Sequence, residues 1–296
     1  MAEAGTQPPG CQPPDPNTRK PRYTPPPGAC DAHCHVFGPG AVFPYAPERR
    51  YTPPDAPKEK LAALHATLGI ERAVIVQASC HGTDNAAMLD AIAASGGRYR
   101  GVCNARGAFT DAEFERLHEG GIRGVRFNFV KHLGGTPDLD RMRSIVARVA
   151  PLGWHVEWHF DAGDILEFEH LFEEMPLPIV LDHMGRVPVA DGLDQAPFQA
   201  LVRIFAANPR LWIKLSGAER ISRSGPPFDD AVPFARALVE VAPERLVWGT
   251  DWPHPNIKGA MPNDGDLVDL IPRYIDDEAV RRLVLVDNPA RLYGFA

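Results

Sequence analysis

From residue 29 onward, short apolar runs alternate along the chain with longer stretches of helical period. Short apolar runs bounded by polar or turn residues are typical of buried strands, and apolar residues that recur once per helical turn are typical of helices packed on them. The alternation predicts repeated βα units on a parallel sheet. The predicted strands are 29–36, 72–78, 99–104, 122–129, 154–160, 178–183, 211–216 and 245–251. The predicted helices are 58–68, 85–94, 111–119, 139–149, 164–173, 198–207, 230–241 and 278–286.

Eight such units on one chain predict an α/β fold, a single (β/α)8 TIM barrel over residues 29–296. An open, doubly wound sheet is the alternative, but no Gly-x-Gly-x-x-Gly motif follows the first strand. Residues 1–28 are rich in proline and have few large apolar side chains before Tyr23. We expect these residues to form an extended or disordered N-terminal tail.

Polar side chains collect near the ends of the predicted strands. Alternate side chains of a strand share a face, so His33 and His35 point to the same side of the first strand. Such a pair can hold a metal, polarise a carbonyl or move a proton. The polar residues in or at the ends of the other strands are Ser79, Arg126, His159, His183, Lys214 and Asp251. Because barrel enzymes place their active sites at the carboxyl ends of the strands, this clustering predicts an active site.

Composition narrows the class of protein. The chain has 44% apolar and 23% charged residues, typical of a globular protein, and its net charge of −7 disfavours nucleic acid or an anionic membrane as a general partner. Its five cysteines include no Cys-x-x-Cys pair, and no apolar run approaches the length of a membrane span. We therefore expect a cytoplasmic protein that binds any anionic ligand through local cations. The composition leaves the oligomeric state open.

Several longer stretches match a known group of enzymes. Over residues 21–293 the chain resembles the amidohydrolase superfamily, and more closely its 2-pyrone-4,6-dicarboxylate lactonase branch. The matching stretches are PRYTPPPGA, DAHCHVFGPG, VIVQASCHGTDNA, LHEGGIRGVRFNF, GWHV, DHMGR, WGTDWPHPN and NPARLY. The resemblance implies a hydrolase that opens a carboxylated lactone during bacterial aromatic-compound catabolism. A relative that acts on 4-sulfomuconolactone, also an anionic lactone, is the competing assignment.

The resemblance also implies roles for individual side chains. The implied catalytic groups are His33, His35, His183 and Asp251. The implied substrate contacts are Tyr51, Ser79, Arg126 and Arg220. His132 is a further candidate for substrate binding, at a position where the lactonase pattern has an arginine. Loss of a bidentate donor there leaves the identity of the acid group open.

A second departure from the lactonase pattern concerns metal binding. The resemblance implies that the wider superfamily holds metal with the His-x-His pair, a histidine ending strand 5 and an aspartate ending strand 8. It also implies that the pyrone lactonases have tyrosine instead of that histidine and work without metal. This chain has His159 at the strand 5 position. We therefore predict one divalent ion, with zinc favoured, bound by the following set: His33, His35, His159 and Asp251.

The expected reaction is attack of an activated water on the ring ester, with Asp251 as general base and arginines orienting the acid group. Trp248 and Trp252 flank Asp251, and limited hydration there would raise its pKa toward the working pH, whereas a neighbouring metal would oppose that shift. Two other functions stay open at this point. One is a metal-dependent decarboxylase of the same superfamily, and the other is a non-catalytic binding protein on the same barrel.

Overall fold

Eight parallel strands form the centre of the protein. The computed structural model describes residues 8–135 and 138–296, and in it the strands pair in chain order from the first to the eighth. They are β1 (Cys30–Cys34), β2 (Arg72–Val76), β3 (Tyr99–Cys103), β4 (Ile122–Asn128), β5 (His155–His159), β6 (Ile179–Leu181), β7 (Leu211–Leu215) and β8 (Leu246–Trp248). The two edges meet just beyond β8, where the Asp251 amide donates to the His33 carbonyl at 2.7 Å. The predicted (β/α)8 barrel is confirmed.

Helices connect the strands and cover the outside of the sheet. In the described part of the chain the α-helical segments are α1 (Lys58–Leu68), α2 (Ala86–Ala94), α3 (Asp111–Glu119), α4 (Leu139–Val149), α5 (Ala162–Glu167), α6 (Glu169–Glu174), α7 (Ala196–Ala207), α8 (Ala218–Ile221), α9 (Val232–Val241), α10 (Asp264–Asp269), α11 (Ile271–Tyr274), α12 (Glu278–Arg282) and α13 (Asn288–Tyr293). Local sequence sets several boundaries. Thr110 and Glu113 form a capping box that begins α3, and Gly69 ends α1 in the left-handed conformation. The helices bury their apolar faces against the barrel, as Leu61 and Leu68 of α1 illustrate.

All eight strands end one to three residues earlier than the sequence predicted, and at β6 and β8 this moves a candidate catalytic residue out of the sheet. The predictions extended β6 to His183 and β8 to Asp251, but the strands stop at Leu181 and Trp248. His183 and Asp251 lie in turns instead, with φ angles of 53° and 67°. A left-handed backbone cannot continue a strand. The chain therefore leaves the sheet at these points, at the carboxyl end of the barrel.

The interior of the barrel contains charged as well as apolar side chains. Glu157 of β5 and Lys214 of β7 form an ion pair in which both side chains are fully buried. Asp182, which follows β6, lies 3.3 Å from the same Lys214 ammonium group and is also buried. Since a buried charge is tolerated only when it is paired and hydrogen-bonded, this part of the fold depends on the match between these three groups.

The structure describes residues 8–28 of the predicted N-terminal tail, and residues 1–7 lie outside the described residues. Residues 8–28 contain no helix and no strand of the barrel, and their contacts with the rest of the chain include a short parallel bridge between Gly10 and Thr52 and ion pairs of Arg19 with Asp266 and Asp269 of α10. The division of the chain at residue 28 stays a prediction. Among the described helices, none has the length and apolar character needed to cross a membrane.

Candidate active site

A cavity of about 390 Å³ opens at the carboxyl ends of the strands, a size suited to a small organic ligand. The predicted site residues that line it are His35, Tyr51, Ser79, Arg126, His132, His159, His183, Arg220 and Asp251. The remaining one, His33, is buried behind this lining, with Nε2 3.6 Å from Asp251 Oδ1. The structure therefore brings all of these residues to one place, and their individual roles stay predictions.

Asp251 lies at the centre of the site. Its Oδ1 atom is 3.1 Å from His35 Nε2 and 3.6 Å from His33 Nε2. Its Oδ2 atom accepts a hydrogen bond from Arg220 Nε and is 3.9 Å from His183 Nε2. Three imidazoles and one guanidinium thus surround a single buried carboxylate.

The hydrogen bonds of the imidazoles determine what they offer to the cavity. His35 Nδ1 donates to the Val76 carbonyl at 2.7 Å, because a carbonyl oxygen can only accept. His183 Nδ1 is 3.0 Å from the Ser216 hydroxyl. His33 Nε2 is buried and has no hydrogen-bond partner among the residues that the structure describes. An unpartnered nitrogen beside a carboxylate is suited to bind a water, a carbonyl oxygen or a cation.

Arg220 controls the charge of Asp251. Burial acts to raise the pKa of Asp251, but the Arg220 guanidinium and the neighbouring imidazoles outweigh burial and hold the pKa well below its ordinary value. The prediction that Trp248 and Trp252 raise this pKa is therefore wrong, because the buried ion pair dominates over apolar neighbours. Burial lowers the pKa of His183 to about 3, so this ring is neutral at physiological pH.

A second charge network supports His33 from inside the barrel. His33 Nδ1 is 3.0 Å from Lys214 Nζ and 3.2 Å from Asp182 Oδ1. Arg126 donates to Asp182 Oδ2 from Nε at 3.0 Å and from Nη2 at 2.7 Å. Burial and the Asp182 carboxylate raise the pKa of Glu157, against the opposing effect of Lys214. Arg126 is therefore both a cavity residue and a member of a buried ion-pair network.

The atoms around Asp251 fit a divalent cation. One ligand atom from each of His33, His183 and Asp251 lies within 4.8 Å of the others. His159 is held differently, because its Nε2 accepts a long hydrogen bond of 3.5 Å from Arg186 Nη1. A neutral imidazole that accepts at Nε2 carries its proton on Nδ1, so in this arrangement the lone pair of His159 is directed at Arg186. In this arrangement His183, rather than His159, accompanies His33 at the carboxylate.

Sequence reasoning missed two cations that line the cavity, Arg186 and Lys258. Arg186 belongs to the DHMGR stretch but lies beyond the end of the predicted strand, where the pattern of strand ends no longer applies. Lys258 lies in the loop that follows Asp251. The sequence did contain a signal for Arg186, because it is a basic residue three positions after His183, a candidate catalytic histidine.

A buried cluster next to Arg220 was missed as well. His254 Nε2 donates to Asp264 at 3.1 Å, and His254 Nδ1 is 3.6 Å from Glu219. Burial acts to lower the pKa of His254, but the Asp264 and Glu219 carboxylates outweigh it and raise the pKa to about 10. The resulting imidazolium compensates Glu219, whose Oε1 lies 3.7 Å from Arg220 Nε. This cluster helps to fix the position of Arg220.

Comparison with known proteins finds one matching family and several similar proteins. The sequence profile of the amidohydrolase family matches residues 30–295. The chain is 49% identical over 285 residues to a 2-pyrone-4,6-dicarboxylate hydrolase of Comamonas testosteroni, covering 94% of this chain and 93% of that protein. It is 46% identical over 290 residues to a 4-sulfomuconolactone hydrolase of Rhizobium radiobacter, covering 97% and 96%. A solved structure from Pseudomonas putida, assigned to the 2-pyrone-4,6-dicarboxylic acid hydrolases, has a TM-score of 0.79 at 34% identity over 90% of this chain and 98% of that chain.

Proposed function

This chain belongs to the amidohydrolase family, and we propose that it opens a small anionic lactone by attack of water on the ring ester. It is a lactonase, the enzyme class of its close relatives. The substrate is of the 2-pyrone-4,6-dicarboxylate or 4-sulfomuconolactone type, from bacterial aromatic-compound catabolism. The observation that carries this proposal is the carboxylate of Asp251, held among three imidazoles at the floor of a cationic cavity.

The charge of the cavity favours an anionic substrate. Its lining contains four lysine and arginine side chains but only two carboxylates, although the whole chain has a net charge of −7. The cations are Arg126, Arg186, Arg220 and Lys258, and the carboxylates are Glu219 and Asp251. A local positive field of this kind attracts and orients an acid group.

Asp251 acts as the general base. Its low pKa keeps the carboxylate ionised at neutral pH, ready to take the proton of an attacking water. Arg220 also donates to the Pro255 carbonyl at 3.2 Å, so its guanidinium lies between the base and the loop at the rim. An acid group that binds Arg220 partly neutralises its guanidinium, so Arg220 stabilises the Asp251 carboxylate less. Substrate binding thereby raises the pKa of the base toward the working range.

His33 polarises the lactone carbonyl when no metal is bound. Lys214 can only donate, so when its ammonium donates to His33 Nδ1, the ring proton lies on Nε2. That Nε2–H group is the buried atom without a partner among the described residues. It is available to the oxygen on which negative charge develops.

The experiment that tests this function measures the loss of ultraviolet absorbance of 2-pyrone-4,6-dicarboxylate and 4-sulfomuconolactone side by side. We expect turnover of at least one lactone by the purified protein. Asp251→Asn protein prepared in the same way is the matched control for contaminating host enzymes. A folded protein that turns over neither lactone would contradict the proposed substrate class.

Arg220→Met is expected to lower kcat/KM by roughly 30-fold to 1,000-fold, the equivalent of about 2–4 kcal/mol. The reason is that this change removes a guanidinium from the substrate and leaves Asp251 without its nearest counter-charge. Steady-state kinetics of the purified variant measures the effect. Arg220→Lys, which keeps the charge but not the planar fork, is the control and should lose less. Unchanged KM and kcat in Arg220→Met would make Arg220 a bystander.

We also propose that the site holds one divalent ion, with zinc favoured. The residues that would hold it are His33, His35 and Asp251, together with one further imidazole. The sequence predicted His159 as this further ligand, but in the structure His183 lies closer to the Asp251 carboxylate. A bound zinc would polarise the carbonyl and lower the pKa of a bound water. This requires His33 to donate from Nδ1 to Asp182, which lies 3.2 Å away, so that Nε2 is free.

Elemental analysis of the purified protein is expected to find about one zinc ion per chain, as three imidazoles and a carboxylate would bind. Chelation should remove the ion and the activity together, and added zinc should restore both. His159→Phe and His183→Phe identify the further imidazole, because only one of them should lose the ion. Substoichiometric metal with full activity after chelation would contradict metal dependence.

Two further assignments stay proposals. We propose a cytoplasmic location, supported by five cysteines that are all free thiols. We propose the small lactone as the partner, with neither nucleic acid nor membrane, on the basis of the acidic net charge of −7.

A further inference from the structure

An unusual turn follows β6. His183, Met184, Gly185 and Arg186 have consecutive φ angles of 53°, 51°, 67° and 51°. Side chains with a Cβ rarely adopt this left-handed region, and three of these four residues have one. Residues held in such conformations cluster at functional sites, where the surrounding structure fixes them. Here the turn places His183 and Arg186 in the lining of the same cavity, while Met184 packs in the core.

Arg186 differs from the other two arginines of the cavity in its counter-charge. Arg126 donates to Asp182 and Arg220 donates to Asp251, and both of these carboxylates are buried. Arg186 Nε donates at 3.1 Å to Asp161, whose side chain is 41% exposed. Solvent screens such an ion pair. Among the three arginines of this lining, Arg186 therefore has the positive charge that is least neutralised by a paired carboxylate.

Two histidines lie beside Arg186 and leave its charge uncancelled. His159 Nε2 accepts from Arg186 Nη1 at 3.5 Å. A ring that accepts at Nε2 carries a single proton and is neutral, because an imidazolium has no lone pair with which to accept. Burial and the charge of Arg186 lower the pKa of His132, which lines the same cavity. Neutral rings can orient a guanidinium without neutralising it.

We propose that Arg186 binds a second acid group of the substrate, at a subsite separate from Arg220, and that His159 is a positioning residue that holds the Arg186 guanidinium. This inference rests on the proposed lactone hydrolysis and deepens it. Both proposed types of lactone carry two acid groups, and the inference places one of them at Arg220 near the base and the other at Arg186. His159 then contributes to substrate selection through Arg186.

The test compares Arg186→Met with the wild type on three substrates: 2-pyrone-4,6-dicarboxylate and its two monoacids, 2-pyrone-4-carboxylate and 2-pyrone-6-carboxylate. We expect KM for the diacid to rise roughly 30-fold or more, with kcat changed by only a few-fold. One of the two monoacids, the one whose acid group binds at Arg220, should keep its kcat/KM within about threefold. Arg236→Met is the matched control, because Arg236 forms an exposed ion pair with Asp276. Equal losses for the diacid and both monoacids, or no loss at all, would overturn the assignment of Arg186.

The role of His159 is tested in the same assay. His159→Phe removes the acceptor and should reduce the preference for the diacid, whereas His159→Gln keeps an acceptor and should restore most of it. In a protein that already carries Arg186→Met, His159→Phe should change the preference no further. A loss in His159→Phe that is equal for diacid and monoacids, and independent of Arg186, would overturn the positioning role.

A binding measurement separates this inference from the proposed hydrolysis. Pyridine-2,4-dicarboxylate, pyridine-2-carboxylate and pyridine-4-carboxylate resemble the acids in shape but contain no ester, and calorimetry gives their affinities for the wild type and Arg186→Met. A preference for the diacid that disappears in Arg186→Met supports the subsite even if no lactone is turned over. Lactone turnover with no effect of Arg186→Met on the diacid preference leaves the proposed function standing and overturns the subsite.

Discussion

Asp251→Asn is expected to lower kcat by about 10²-fold to 10⁴-fold and to change KM far less. The substitution keeps the shape of the side chain that His35 and Arg220 contact, and removes the carboxylate that takes the proton from water. Because the base takes a proton only in the chemical step and does not hold the substrate, its removal should lower kcat and leave KM nearly unchanged. Steady-state kinetics with the lactone that the wild type hydrolyses measures both constants.

A urea-unfolding curve must accompany this measurement, because Asp251→Asn also leaves the buried Arg220 guanidinium without its carboxylate. Loss of turnover in a variant that stays folded under assay conditions supports the general base. Turnover within a few-fold of the wild type would place the base elsewhere. His183, whose Nε2 lies 3.9 Å from Asp251, would then be the next candidate.

Lys214→Met is expected to reduce the free energy of unfolding by about 3–5 kcal/mol, the cost of removing one partner from a buried ion pair. Lys214, Glu157 and Asp182 are all fully buried, and the ammonium group contacts both carboxylates. Methionine fills much of the same volume but leaves two buried carboxyl groups close together without the ammonium group that they share. Urea unfolding followed by circular dichroism measures the change.

Arg203→Met is the matched control for this loss of positive charge. Arg203 pairs with Glu169 on the surface, with side chains 61% and 37% exposed, and pairs of that kind contribute about 1 kcal/mol or less. If Lys214→Met unfolded at the same urea concentration as this control, the interior charges would not stabilise the barrel as described.

The repeating pattern of the sequence predicted the barrel because each strand and its helix leave a local signature. The pattern failed where short segments interrupt it. The predicted helix 164–173 is two helices, α5 and α6, divided at Phe168, whose φ of −111° and ψ of 25° depart from helical values. The segments α8, α10, α11 and α13 were not predicted, since segments of four to six residues carry too few turns for a periodic signal.

The sequence indicated nine of the residues that line the cavity but not the electrostatics of the site. The positions of the strand ends and the family resemblance indicated His33, His35 and Asp251, and both signals lie in short stretches of sequence around these residues. The pairing of Asp251 with Arg220 joins residues 31 positions apart, and no local pattern reveals that the guanidinium faces the carboxylate. Arg186 was missed for a related reason, because its place in the cavity depends on a left-handed turn rather than on strand alternation.

The most direct test of lactone hydrolysis at Asp251 is a reaction in water enriched in oxygen-18, with the product analysed by mass spectrometry. We expect the opened product to carry one heavy oxygen in the newly formed carboxylate, with no carbon dioxide released and far less product from Asp251→Asn in the same time. Release of carbon dioxide, or a product isomeric with the lactone and free of heavy oxygen, would contradict hydrolysis by an activated water.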